Sequence, residues 1–208
     1  MLPAKNQDLH GNVPDKCATA LVLIDVINDL NFPGSDKLLR YALPMAHALV
    51  DLKRRAAEAR IPAIYVNDNF GRWQSDFNAQ VEHCLNDDVP GRELVRLLQP
   101  GPDDYFVLKP KHSAFFSTTL DILLEYLGVQ NLILTGLAGN ICVLFTANDA
   151  YMRDFHLYVP SDCVASNTEA ENTYALEQMR AVLKANVTPS AKLDLHALRH
   201  FQESEAHR

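Results

Sequence analysis

The sequence predicts an α/β domain whose parallel sheet is covered by helices on both faces, and three observations carry that prediction. Short apolar runs alternate with longer segments of helical period. Each run is apolar nearly throughout rather than at every second residue, as expected of a strand buried on both faces. No linker or internal repeat divides the 208 residues, a length that suits one domain with a sizeable core. The chain divides into an N-terminal arm at 1–17, a single domain at 18–200 and a polar tail at 201–208.

The first strand is expected at "ATALVLIDV" (18–26). "NDLNFPGSD" is turn-rich, and Ser35 or Asp36 is expected to cap the helix "KLLRYALPMAHALVDLKRRAAEAR", with Pro44 kinking or splitting it. "IPAIYVN" (61–67) is the second strand. From Asp68 to Pro102 the chain reads as irregular with helical pieces, of which "GRELVRLL" (91–98) is the clearest. "DYFVLK" (104–109) is the third strand, and "TTLDILLEYLG" (118–128) a helix stopped by Gly128. "NLILTG" (131–136) is the fourth strand, "CVLFTANDAYMRD" a helix and "HLYVPSD" (156–162) the fifth strand. A helix over 167–186, capped by Asn167 or Thr168, precedes a short sixth strand in "VTPSAKL".

Charge and composition exclude several classes of function. A net charge of −7 opposes general affinity for nucleic acid or anionic membranes. No run reaches the roughly 18–20 apolar residues of a membrane-spanning helix. The N-terminus has no signal-peptide pattern. Four cysteines, Cys17, Cys84, Cys142 and Cys163, show no CxxC spacing, so neither a zinc cluster nor a disulfide framework is expected and a reducing cytoplasm is the default. Cys17, Cys84 and Cys163 read as packing thiols.

In open α/β sheets the ligand site lies beyond the carboxyl ends of the strands. Asp25, Lys109 and Cys142 stand at or just past three of those ends. Each has a plain alternative: an Asp as turn or cap residue, a solvated Lys, a Cys as small core residue. Together they make a complete apparatus. First-turn amides and the Lys109 ammonium would favour thiolate at Cys142. Asp25 can take the thiol proton and return it to a leaving group. The small residues of "GLAGN" let a carbonyl approach backbone N–H groups that can hold an oxyanion.

"ALVLIDVINDL", "VLKPKHSAFFSTTL" and "LILTGLAGNICVLFTANDAYMRDFHLYVPSDCVAS" resemble the three signature segments of the isochorismatase-like cysteine hydrolases, a family that includes nicotinamidases, N-carbamoylsarcosine amidases, ureidoacrylate amidases and isochorismatases. The resemblance runs from Ala18 to Pro189. It implies a three-layer α/β/α fold with a six-stranded parallel sheet of order 3-2-1-4-5-6, and an Asp–Lys–Cys triad at Asp25, Lys109 and Cys142. It selects Lys109 over Lys111, because Ser113-Ala114-Phe115 follows four residues on. It also implies a cis peptide at Leu137–Ala138, which would turn the Ala138 N–H toward the site to act with the Cys142 N–H on an oxyanion.

Departures from the family bear on substrate. Where nicotinamidases carry an Asp–His–His metal set, this chain reads "VNDNFGRWQSD": Asp68 is present and no His follows until His83. No metal or other cofactor is expected, and nicotinamide is disfavoured as substrate. Retention of Cys142 favours attack on an acyl carbon and hydrolysis of a small amide-like C–N bond through a thioester. Two rivals are a vinyl-ether hydrolase of the isochorismatase kind and a silent binding or assembly protein of the same fold. Substrate walls are expected from Asn67, Asp68, Asn69, Arg72 and Trp73; Arg72 could hold a carboxylate, and Trp73 either covers a flat group or packs under the loop or into a subunit contact. Phe115 and Phe116 are divided between pocket wall and core, and His112 reads as a surface residue. The expected partner is a small-molecule substrate, and the resemblance suggests a dimer or tetramer.

Overall fold

The computed structural model describes residues 16–69 and 76–200. Five strands form one parallel sheet: β1 (Thr19–Ile24), β2 (Ala63–Asp68), β3 (Tyr105–Lys109), β4 (Asn131–Gly136) and β5 (His156–Tyr158). Their order is β3-β2-β1-β4-β5, and all four pairings are parallel. The expected sixth strand is reduced to an isolated bridge between Tyr158 and Asn186. Beyond it Pro189 leads into a 3₁₀ turn at Ser190–Lys192, so the chain leaves the sheet edge before a ladder can form. The α/β class and the order of the five strands agree with the sequence-based expectation.

Alternation along the strands explains the two helical layers. Leu21 and Leu23 of β1 face a core built with α1 (Ser35–Glu58), α2 (Phe77–Asn86), α3 (Arg92–Leu97) and α7 (Leu195–His200). Ala20, Val22 and Ile24 face the other way, onto α4 (Leu120–Leu127), α5 (Leu144–Tyr151) and α6 (Glu169–Ala181). Both side-chain sets of one strand are therefore apolar, and the strand reads as a continuous run. No helix among the described residues is long and apolar enough to cross a membrane.

Several boundaries differ from the sequence reading for local reasons. α1 begins after Gly34, which takes φ +83 as its cap, and Ser35 and Asp36 lie inside its first turn without a capping bond. The helix runs unbroken through Pro44. Pro44 sits on the exposed face, where water can serve the carbonyl one turn earlier. α5 stops at Tyr151 and α6 at Ala181; left-handed Asp154 (φ 62) and Lys184 (φ 58) follow them. Asp76 caps α2 and Thr168 caps α6 through side-chain bonds. Cys17, assigned to the arm from sequence, is instead buried and bonded through its N–H to Leu127 O at 2.9 Å.

The centre of the sheet is set by a close backbone approach. β1 and β4 run in register from Thr19–Asn131 to Ile24–Gly136. Gly136 has φ +107, and a Cβ there would lie 2.1 Å from Ile24 O. Only glycine fits both the conformation and the space. Gly136→Ala is expected to destabilise the fold by about 3 kcal/mol through strain and overlap; urea unfolding of the two proteins checks it.

Candidate active site

Three adjacent strand ends and the turn after β4 bring four polar side chains together. Asp25 follows β1 directly and is held left-handed at φ 52, a conformation costly for a residue with a Cβ. Its N–H bonds Val66 O at 2.9 Å, and its Oδ1 accepts the Asp68 N–H at 2.8 Å. The neighbouring strand thus holds the carboxylate in place. Lys109, the last residue of β3, is paired in register with Asp68. Its Nζ lies 2.8 Å from Asp25 Oδ2 and 3.7 Å from Asp68 Oδ2. Cys142 Sγ lies 3.7 Å from the same Nζ.

Cys142 lies in a π-helical turn, Gly139–Val143, which runs straight into α5. The turn is fastened on several sides. Gly139 N–H bonds Ala165 O at 2.8 Å, and Ile141 and Val143 N–H groups bond Ala138 O. Asn140 N–H bonds Ser166 Oγ at 3.2 Å, and Leu144 N–H returns to Gly139 O. Leu137 N–H bonds Ile24 O. The Leu137–Ala138 peptide is trans, unlike the cis bond that the family resemblance implies.

Burial decides the protonation of the group. Lys109 is 0% exposed and Asp25 7%. Burial raises the Asp25 pKa above its ordinary 3.8, outweighing the lowering by Lys109. Burial also lowers that of Lys109, but Asp25 and then Cys142 more than offset it, and the ammonium is held. Burial first, and Asp25 second, push the Cys142 thiol up to about 12 against the pull of Lys109. Burial thus favours the thiol form of Cys142, which is hydrogen-bonded with the Asp25 carboxyl group. The pull of Lys109 toward thiolate is thus opposed by the larger effect of desolvation and by Asp25.

Other residues singled out from sequence fall in different places. Asp68 belongs to β2 and to the Lys109 cluster rather than to an irregular wall. Asn67 is 0% exposed, and its Nδ2 donates to Ile27 O at 2.7 Å, tying β2 to the chain after Asp25. Asn69 is buried, and its N–H bonds Lys109 O. Phe115 is 5% exposed, stacks on Phe155 at 6.0 Å and carries the Arg153 guanidinium over its ring at 4.7 Å. That is a core position, in the cluster beneath α4 and α5. Phe116 is exposed, with Lys111 Nζ 5.4 Å from its ring centroid. His112 is exposed beside Phe145, the ring centroids 5.4 Å apart. Arg72 and Trp73 lie outside the described residues.

No group of three or more His, Cys, Asp or Glu side chains among the described residues is arranged to hold a metal. His83 is occupied otherwise: Nδ1 meets Asp87 at 2.6 Å and Nε2 meets Asp29 at 3.2 Å. Cys84 and Cys163 are buried, their thiols pushed up to about 11 and about 12, chiefly by burial. Sequence reasoning passed over Thr146. Its signal is the four-residue spacing from Cys142, at which a helical Thr can bond back to a carbonyl; Thr146 Oγ1 donates to Cys142 O at 2.7 Å.

An Isochorismatase domain model matches residues 19–191. An uncharacterized isochorismatase family protein, YaaI of Bacillus subtilis, is 40% identical over 178 residues, covering 86% of this chain and 97% of that protein. A ureidoacrylate amidohydrolase, RutB of Pantoea ananatis, is 41% identical over a shorter stretch of 70 residues, 34% of this chain and 28% of that one. Among solved structures, an isochorismatase family protein from Desulfovibrio vulgaris superposes with a TM-score of 0.69 at 25% identity, covering 86% of this chain and 97% of that chain. The N-carbamoylsarcosine amidase of Thermoplasma acidophilum gives 0.65 at 26%, covering 85% and 98%.

Removing the Lys109 charge leaves Asp25 buried without its counter-ion. Lys109→Met is expected to cost about 3–5 kcal/mol at pH 7. The loss should shrink on acidification: with its folded pKa raised further above the unfolded value, Asp25 binds its proton more readily in the native state, so stability rises as pH falls toward that pKa. Urea unfolding at pH 7 and pH 5 measures both effects.

Proposed function

The chain belongs to the isochorismatase family, and from that premise we propose that it is a cysteine hydrolase cleaving a small amide-like C–N bond, with Asp25, Lys109 and Cys142 as its triad. The observation that carries this reading is the convergence of the three groups on one buried ammonium, 2.8 Å from Asp25 and 3.7 Å from the sulfur. The amidases among its relatives supply the reaction class.

The protonation states suit this chemistry. Asp25 takes the Cys142 proton as the sulfur attacks the carbonyl carbon, so a thiolate forms only when an electrophile is present. Lys109 keeps its charge throughout and holds the Asp25 carboxylate in place. The C–S bond forms, the carbonyl π electrons move to oxygen, and the Cys142 N–H at the head of the helix receives the oxyanion; the trans Leu137–Ala138 peptide removes the reason for pairing the Ala138 N–H with it. Collapse breaks the C–N bond, and the amine leaves with the proton from Asp25. Water, deprotonated by Asp25, then cleaves the thioester, which returns the proton to sulfur and releases the acid. Asp68, 30% exposed beside Lys109, is placed to meet substrate polar groups, and Arg72 and Trp73 remain candidates for the same task.

Exposure to a panel of small amides and urea derivatives is expected to give a mass gain on the native protein that Cys142→Ala abolishes, together with hydrolysis. Hydrolysis surviving in Cys142→Ala would overturn the proposal. The kcat/KM profile should lose activity on the acid side through a pKa above 3.8, because Asp25 must be ionised to accept the proton and burial raises its pKa. In Asp25→Asn that acid limb should disappear along with most of the rate.

A further inference from the structure

Two fully buried hydroxyls fasten the nucleophile turn from different sides. Thr146 Oγ1 donates to Cys142 O at 2.7 Å and accepts the buried Ala114 N–H at 2.9 Å. Ala114 lies in the segment after Lys109, so a single oxygen joins the backbone of the nucleophile to the chain carrying the ammonium. Ser166 Oγ accepts the Asn140 N–H at 3.2 Å and donates to Asn172 Oδ1 at 3.1 Å. Asn172 Nδ2 in turn bonds Val164 O at 3.1 Å. Each hydroxyl has one donor and one acceptor role filled, which fixes its orientation. Gly139 permits the close seating: a Cβ there would meet Asn172 Oδ1 at 2.5 Å, Val164 Cγ1 at 2.6 Å and Ser166 Oγ at 2.9 Å.

We propose that Thr146 and Ser166 are positioning residues for the hydrolysis described above, clamping the Gly139–Val143 turn so that the Cys142 sulfur is held against Asp25 and Lys109. Thr146 fixes the turn relative to the Lys109 chain. Ser166 takes up the Asn140 amide and fixes the turn relative to the segment that follows β5. Neither hydroxyl touches the reacting atoms. The role rests on the proposed reaction, but the placement of the sulfur can be read without any substrate.

Thr146→Val keeps the volume and removes both bonds, whereas Thr146→Ser keeps the hydroxyl. A displacement of the sulfur on the order of 1 Å lowers rates by up to about 100-fold. Thr146→Val and Ser166→Ala are therefore expected to lower kcat toward that limit with KM little changed, and Thr146→Ser to restore it. In parallel, mass spectrometry of iodoacetamide alkylation at Cys142 across pH should give a profile displaced from wild type in Thr146→Val and Ser166→Ala and coincident with it in Thr146→Ser. Unchanged kcat and an unchanged alkylation profile in the folded Val and Ala variants would overturn the inference, as would a Ser variant displaced as far as the Val one. If wild type hydrolyses no amide, the proposed function fails, while the alkylation profiles still decide the clamp. If Thr146→Val does not fold, Ser166→Ala and Thr146→Ser carry the same comparison.

Discussion

The site hangs on one ammonium placed where water does not reach. Lys109 Nζ lies between Asp25 and Asp68 with the Cys142 sulfur at the same range, and its side chain is wholly buried. An isolated charge in that position would be expelled or neutralised. It persists because the ends of β1 and β2 and the turn after β4 each bring a group to it, Asp25, Asp68 and Cys142, and because the Asp68 N–H binds the Asp25 carboxylate from the side. Sheet register and the geometry of the cluster are therefore one property. Lys109 is paired with Asp68, and slipping β3 by one residue would turn the ammonium to the opposite face of the sheet.

This arrangement separates two tasks that a reactive cysteine combines elsewhere. A thiol activated by a depressed pKa is nucleophilic at all times and is open to oxidation. Here burial and Asp25 push the Cys142 pKa up, and in the proposed reaction the same Asp25 is the acceptor when attack begins.

How much of this was legible in the sequence differs by element. The five strands were, because a strand covered on both faces needs apolar residues in both side-chain sets and prints as an uninterrupted run. Asp25, Lys109 and Cys142 were, because strand ends are where such a fold exposes polar chemistry. The ends of α5 and α6 were not: Asp154 and Lys184 take left-handed conformations there, and neither residue type announces one as Gly128 does at the end of α4. The role of Phe115 was open until tertiary packing put Phe155 and Arg153 on its ring. Thr146 and Ser166 escaped notice for a related reason. A hydroxyl acquires meaning from the groups placed around it, and Ala114 and Asn140 reach these two only through the fold.

The far edge of the sheet carries a consequence of another kind. β5 has three residues, and its outward groups are already spoken for: Val159 N–H bonds Asn186 O, and Asn186 N–H bonds Leu157 O. A foreign strand arriving on that side finds no free ladder to extend. Copies of this chain that meet there must recognise one another through side chains, which confines self-association to specific shapes and closes a route to open-ended fibre growth.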